Sequence, residues 1–98
     1  MKKIRTIVKI DKTIHEPARL AIMAKLITGQ VMDATLLKAQ VGLSWGNLSI
    51  HLGKLEQAGY VKVIKTYRGR KPRTQARVTA AGKRIYNQYK KEVLSLLR

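Results

Sequence analysis

The segment from Ser44 to Lys54 combines leucines at helical spacing with small and polar side chains between them. The leucines recur every three or four residues and would share one side of a helix, which leaves Gly46, Ile50 and Gly53 on the opposite side. A glycine inside a helix costs about 1 kcal/mol relative to alanine. Either these glycines are merely tolerated on a solvent-facing helix, or they allow another molecule to approach the backbone closely.

A second concentration of binding chemistry lies between Tyr60 and Arg84, where the chain has nine lysines and arginines and no acid. The whole chain of 98 residues has 21 Lys and Arg against 5 Asp and Glu, a formal net charge of +16. Such an excess is typical of proteins that bind polyanions, here nucleic acid or anionic lipid. A solvated charged face normally mixes both signs, so this one-sign cluster predicts contacts with phosphates.

These two features together favour insertion of the leucine-containing helix into the major groove of DNA. A helix nearly fills a groove roughly 12 Å wide, and positions without a side chain let its backbone sit close to bases or phosphates. Ile50 would contact a thymine methyl group, while Asn47 and Ser49 would hydrogen-bond to bases or phosphates and Lys54 would bind a phosphate. The predicted contact residues of this helix are Ser44, Trp45, Gly46, Asn47, Ser49, Ile50, Gly53 and Lys54.

Two residues of this helix keep alternative interpretations. Trp45, the single tryptophan, could pack over the first turn and the neighbouring helix or contact the DNA backbone. His51 flanks the leucines and could either be half-buried with a local hydrogen bond or contact a phosphate.

In the basic segment the predicted contacts with the DNA backbone are Lys65, Arg68, Arg70, Lys71 and Arg73. Arg68 or Arg70 could also reach the minor groove.

The same inventory argues against catalysis and metal binding. The chain has no cysteine, its two histidines stand alone, and its five acids are scattered without forming a pair suited to acid–base chemistry. We therefore expect no enzyme activity, no metal and no cofactor. No apolar run approaches the ~20 residues of a membrane helix, and the basic start lacks the long apolar core of a secretory signal, so we expect a soluble, cytoplasmic protein associated with the nucleoid.

The local signals place these residues on a short series of elements. Pro17 suits the first position of a first helix that ends at Gly29. Asp33 as N-cap and Gly42 as terminator bound a second helix, and Ser44 begins the third after about three residues, the spacing of a helix-turn-helix.

Two β-rich runs, residues 60–66 and 74–79, follow as a hairpin with a long basic loop, and Thr79 caps a last helix. Residues 1–12 fit a helix and a strand equally.

In this order the elements resemble a winged helix-turn-helix domain. The segments "HEPARLAIMAKL", "LSWGNLSIHLGKLEQAGYVKV" and "KPRTQARVTAAGKRIY" are similar to small stand-alone winged-helix regulators of archaea and bacteria related to the ArsR and MarR groups. The resemblance implies an α+β, mainly α fold with a two-stranded hairpin wing and a C-terminal dimerisation helix. It places the helix-turn-helix at about 33–59, the wing at about 60–79 and the terminal helix at about 80–97 of one domain, 1–98.

The resemblance also implies a homodimeric DNA-binding regulator, but it does not extend to effector sensing. The ArsR-type metal sensors use cysteines that this chain lacks, and the MarR-type proteins have longer terminal helices around a ligand pocket. The apolar face of the last helix independently predicts a partner surface, although it could instead fold back on the first helix. Its residues are Ile85, Tyr86, Tyr89, Val93, Leu96 and Leu97.

The leading hypothesis is a repressor that reads a pseudo-palindromic site on double-stranded DNA. An architectural DNA coat explains the high charge equally well, and a protein-interaction winged helix is a third alternative that predicts a mixed-charge recognition face. Base-pair substitutions would distinguish the first two, since a regulator loses about 1–3 kcal/mol per important base pair and a coat nearly none.

Overall fold

Four helices and three strands follow one another in residues 10–98, the part of the chain that the computed structural model describes. The segment for which the sequence leaves helix and strand open lies largely outside it. The elements, in chain order, are α1 (Pro17–Leu26), β1 (Met32–Asp33), α2 (Ala34–Val41), α3 (Trp45–Gln57), β2 (Val61–Arg68), β3 (Lys71–Val78) and α4 (Ala80–Leu96).

Side-chain caps begin three of the helices. Glu16 precedes Pro17 and accepts hydrogen bonds from the backbone N–H groups of Ala18 and Arg19, each at 2.9 Å. The hydroxyl of Ser44 accepts the N–H of Asn47 at the start of α3, and Thr79 does the same for Gly82 at the start of α4. The predicted caps at Ser44 and Thr79 are confirmed, and each satisfies an N–H that the helix cannot pair internally.

The turn between α2 and α3 is as tight as predicted. Gly42 ends α2 in the left-handed conformation, with φ of 71°, and donates its N–H to the carbonyl of Lys38. This conformation is strained for side chains with a Cβ, so glycine is favoured at this position. The short connection makes α3 cross α2 steeply.

The predicted two-stranded hairpin wing is confirmed in β2 and β3, and the short strand β1, which the sequence did not predict, extends it to a three-stranded sheet. β3 lies in the centre and pairs antiparallel with both β1 and β2, and Met32 lies opposite Ala76. The prediction of a long loop between the wing strands is wrong. Arg68 pairs with Lys71, which leaves a two-residue turn in which Gly69 has φ of 64°. Because Arg70, the second central residue, does not share this positive φ, the turn is of type II′, which matches the twist of the strands.

The core lies where α1, α2 and α3 meet the base of the sheet. The largest fully buried side chains come from the segment before α1 and from α1, α2 and α3: Ile14, Ile22, Met23, Leu26, Leu37, Leu48 and Leu55. No polar side chain of residues 10–98 is buried among them. The three leucines of α3 thus point inward, as their spacing predicts, and this fixes which side of α3 faces solvent.

Helix α4 returns along α1 after leaving the sheet. Its first turn is held by the hydroxyl of Thr79, which donates to the carbonyl of Gly59 at 2.6 Å. Tyr89 is buried in the core of its own chain, 6% exposed, and its hydroxyl lies 2.8 Å from Nδ1 of His15. The fold-back interpretation therefore applies to Tyr89, whose side chain packs within its own chain.

Candidate nucleic-acid interface

The outward side of α3 presents a narrow stripe with one large side chain. Ile50 is 57% exposed, and a Cβ placed on Gly46 or Gly53 would meet no atom within 4 Å. Packing within the protein therefore does not require glycine at either position. The stripe is a smooth helical ridge with Ile50 projecting from its middle, and its shape suits insertion into a groove.

Two clefts flank this stripe. On one side, Ser49 and Gly53 line a cleft of about 330 Å³ between α3 and the wing, together with Lys65 and Thr74. On the other side, Lys54 lines a cleft beside the residues that precede α1 and the first turn of α1. The predicted helix residues therefore divide into a central stripe and two edges, one of which, with Ser49, turns toward the wing.

Trp45 lies at the start of α3 with 53% of its surface exposed. The ammonium group of Lys38, on α2, sits 5.5 Å from the centroid of its ring, a distance that allows a cation–π interaction. Both interpretations of Trp45 thus have a structural basis, since it contacts the neighbouring helix and still offers an open ring face or edge. Ser44 uses its hydroxyl to cap α3 and remains exposed.

His51 has local partners. Its Nδ1 lies 3.2 Å from Arg19 Nη1 and 3.4 Å from Glu16 Oε2. Burial acts to raise the pKa of Glu16, but the backbone hydrogen bonds from Ala18 and Arg19 and the nearby positive charges outweigh it, so the pKa is lowered. The cluster joins the start of α1 to α3, which agrees with the locally bonded interpretation of His51.

The wing presents its cations on both strands and at the turn. Lys65, Arg68, Arg70 and Lys71 are exposed, and no ion pair within residues 10–98 involves them. Since their charges have no acidic partner there, they can neutralise phosphates without breaking an internal bond. The tip of this surface is the Gly69–Arg70 turn, the part of the wing farthest from its base.

Arg73 differs from the other predicted wing residues because it is bound to Asp33 at the edge of β1. Its Nε donates to one carboxylate oxygen at 2.8 Å and its Nη2 to the other at 3.3 Å. The hydrogen bond from Arg73 lowers the pKa of Asp33, and the carboxylate raises the pKa of Arg73. Asp33 precedes α2 as predicted, but its side chain does not cap the helix. It ties the wing to β1 instead.

Comparison with known proteins identifies a family and several similar proteins. Residues 18–97 match the family described as winged helix DNA-binding domain. The chain belongs to this family. An uncharacterized protein of Methanocaldococcus jannaschii is 31% identical over 85 residues, which cover 87% of this chain and 92% of that protein.

Among solved structures, a transcriptional regulator homologue from Pyrococcus horikoshii superimposes with a TM-score of 0.88 at 27% identity, over 99% of this chain and 95% of that one. The PcaV transcriptional regulator of Streptomyces coelicolor has the same fold, with a TM-score of 0.75 at 18% identity over 92% of this chain and 65% of its own.

Membership of the winged helix family confirms the predicted fold and the prediction of a DNA-binding regulator. This family of transcriptional regulators is not a family of enzymes. Within residues 10–98 no three potential metal ligands come together. No helix in that same range is long and apolar enough to cross a membrane.

Sequence reasoning missed two residues of the winged helix surface. Tyr67, on β2 near the wing tip, is 72% exposed. Glu56 accepts the N–H of Val63 at 3.1 Å and so ties α3 to the outer wing strand. The exposed aromatic residue in a basic run is a signal that could have been read from the sequence. The Glu56 contact has no local signature, because it depends on how α3 packs beside the sheet.

Proposed function

We propose that this winged helix protein is a homodimeric transcriptional repressor that binds a pseudo-palindromic site on double-stranded DNA. The observation that carries the proposal is the position of the outward stripe of α3 beside a wing whose exposed cations lack acidic partners within residues 10–98. The stripe would enter the major groove, and the wing would bind the adjacent phosphates. Occlusion of a promoter is the simplest consequence of such binding.

In this proposal the predicted DNA-binding residues other than Ser44 and Trp45 have assigned places. Gly46 and Gly53 let the helix backbone approach the DNA, and Ile50 and Asn47 contact base edges. Ser49 and Lys54 contact the two DNA strands on either side of the groove. Lys65, Arg68, Arg70 and Lys71 bind phosphates on the wing side. Arg73 acts indirectly, since its bond to Asp33 fixes the wing relative to α2.

The dimer would form through the apolar groove between α1 and α4. Pro17, Leu20 and Ala24 line one side of the groove, and Tyr86 and Val93 line the other, enclosing about 570 Å³. Leu94 also lines the groove and is 48% exposed, and Leu97, directly after α4, is 77% exposed. Exposed apolar surface of this kind favours self-association about a two-fold axis, which would set two α3 helices about 34 Å apart, one helical turn of DNA.

The remaining predicted interface residues lie along the same helix. Ile85, Tyr86, Val93 and Leu96 are half-buried against their own core, so a partner would cover only their outer edges. Tyr89 is buried at the base of the groove, where it would support the side chains that contact the partner.

The test combines sedimentation with selection from random duplex DNA at about 150 mM salt, because affinity for DNA depends steeply on salt. We expect a dimer at micromolar concentration and enrichment of an inverted repeat with half-sites about one helical turn apart. A monomer that enriches single half-sites would refute the dimer.

An architectural role is the second candidate, and the net charge of +16 favours it as much as it favours a regulator. Tight binding without any sequence enrichment would establish the architectural role and refute the repressor. Either function places the protein in the cytoplasm, on the nucleoid.

A further inference from the structure

The part of α3 that faces outward lacks the side chains that read guanine. Between Trp45 and Gly53 the helix has no lysine or arginine. Guanine presents two acceptors in the major groove and is read chiefly by arginine or lysine donating to both. The one basic side chain in this stretch, His51, is turned toward Arg19 and Glu16. Lys54 lies at the edge of the stripe, beside the cleft toward α1.

Cytosine has no suitable reader on this surface either. Its exocyclic amino group is a donor and is read by acidic side chains. Glu56 is the acid of α3, but its carboxylate accepts the backbone N–H of Val63 at 3.1 Å and lies on the side toward the wing. Use of Glu56 for base reading would leave an N–H of the outer strand without its partner.

What the stripe does offer matches an A·T base pair. Ile50, 57% exposed, presents methyl groups that can cover the thymine C5-methyl group. The exposed side-chain amide of Asn47 can donate to N7 and accept from N6 of adenine, a bidentate contact. The two residues are three apart on α3, so their Cβ atoms lie about 5–6 Å from each other and reach the same or neighbouring base pairs.

We propose that the centre of each half-site consists of A·T base pairs, with Ile50 reading thymine through its methyl group and Asn47 reading adenine. The inference rests on the proposed function, since it names the base pairs that the same helix would recognise. Ser49 can bond to any base and does not alter the preference.

The experiment begins with the selected duplexes. We expect the enriched half-sites to be A·T at their centre, flanked by less constrained pairs. At each central position thymine is then replaced by deoxyuridine, which removes only the methyl group, and adenine by 7-deazaadenine, which removes only the N7 acceptor. Binding is measured for the wild type, Ile50→Ala, Asn47→Ala and the control Val31→Ala, which removes an apolar side chain of similar exposure, 46%, outside α3.

Deoxyuridine at the contacted position should weaken wild-type binding about fourfold, the value of one buried methyl group. Ile50→Ala should lose that sensitivity, whereas Val31→Ala should keep it. The 7-deazaadenine substitution should weaken the wild type at least about fivefold and leave Asn47→Ala unaffected.

Other outcomes would overturn the inference in distinguishable ways. An inverted repeat with G·C at the centre of its half-sites would refute A·T reading but leave the repressor intact. An A·T centre at which deoxyuridine affects wild type and Ile50→Ala equally would refute the role of Ile50. Absence of binding or of any enrichment would refute both this inference and the proposed repressor.

Discussion

Two helical glycines, Gly82 in α4 and Gly53 in α3, allow a direct test of what each helix packs against. A Cβ added at Gly82 would lie 2.1 Å from the carbonyl oxygen of Tyr60 and 2.8 Å from a methyl group of Val78. A Cβ added at Gly53 would meet nothing within 4 Å. The change to alanine is chemically identical at the two sites, so any difference in stability reports the surroundings.

The magnitude for Gly82→Ala follows from three contributions. Overpacking in a close-packed region costs about 1–3 kcal/mol. The carbonyl of Tyr60 also accepts the N–H of Thr79 at 3.0 Å, and displacing it would weaken a bond worth about 1 kcal/mol. Alanine regains about 1 kcal/mol of helix propensity over glycine. The free energy of unfolding should therefore fall by about 1–3 kcal/mol, which for a domain of this size lowers Tm by at least about 4 °C.

Gly53→Ala should behave oppositely. It gains helix propensity, up to about 1 kcal/mol, without a clash, so the Tm should be unchanged or higher. Under the proposed function its DNA affinity should nevertheless decrease, because the added methyl group holds the helix away from the groove.

The assay is urea unfolding and thermal melting of both variants at equal protein concentration and salt, since a dimer makes Tm depend on concentration. Equal stability of the two variants would refute the packing argument for Gly82. Undiminished DNA affinity of Gly53→Ala would refute close approach at α3.

Three further predictions concern charges and a phenol. Arg70→Ala should reduce the slope of log affinity against log salt by about 0.9, the value for one phosphate contact. Arg73→Ala should instead lower Tm and leave that slope unchanged, because Arg73 is bound to Asp33. Equal slopes for the two variants would contradict this distinction. The pKa of Asp33 is lowered from 3.8, so its bond to Arg73 stabilises the fold above that pH and is lost as the pH falls through the lowered pKa. The difference in Tm between wild type and Asp33→Asn should therefore disappear in acid. A difference that persists in acid would exclude the ion pair as its cause. Burial and the hydrogen bond to Asp11 raise the pKa of Tyr60 from 10.0 to about 12. The stability that this bond contributes should be retained below pH 10 and lost as the pH rises toward 12. In a pH titration, the tyrosinate absorbance that wild type shows and Tyr60→Phe lacks should appear near pH 12 rather than near pH 10.

The sequence by itself determined the helices, the turn between α2 and α3, and the basic hairpin. Helical periodicity, the caps at Ser44 and Thr79 and the glycine after α2 all act between residues a few positions apart, and such local signals are written directly in the chain. The spacing of the leucines in α3 also determined which side of that helix faces outward. Most of the candidate DNA surface could therefore be predicted before the fold was known.

The tertiary structure decided which of the predicted side chains remain free for a partner. Arg73 and Asp33 are 40 positions apart, His15 and Tyr89 are 74 apart, and no local pattern pairs them. The third strand exists because β3 offers an open edge to Met32, and the short wing turn exists because Arg68 and Lys71 align across the hairpin. These contacts depend on packing between distant segments, so only the folded chain separates the cations that hold the wing together from those that can bind phosphate.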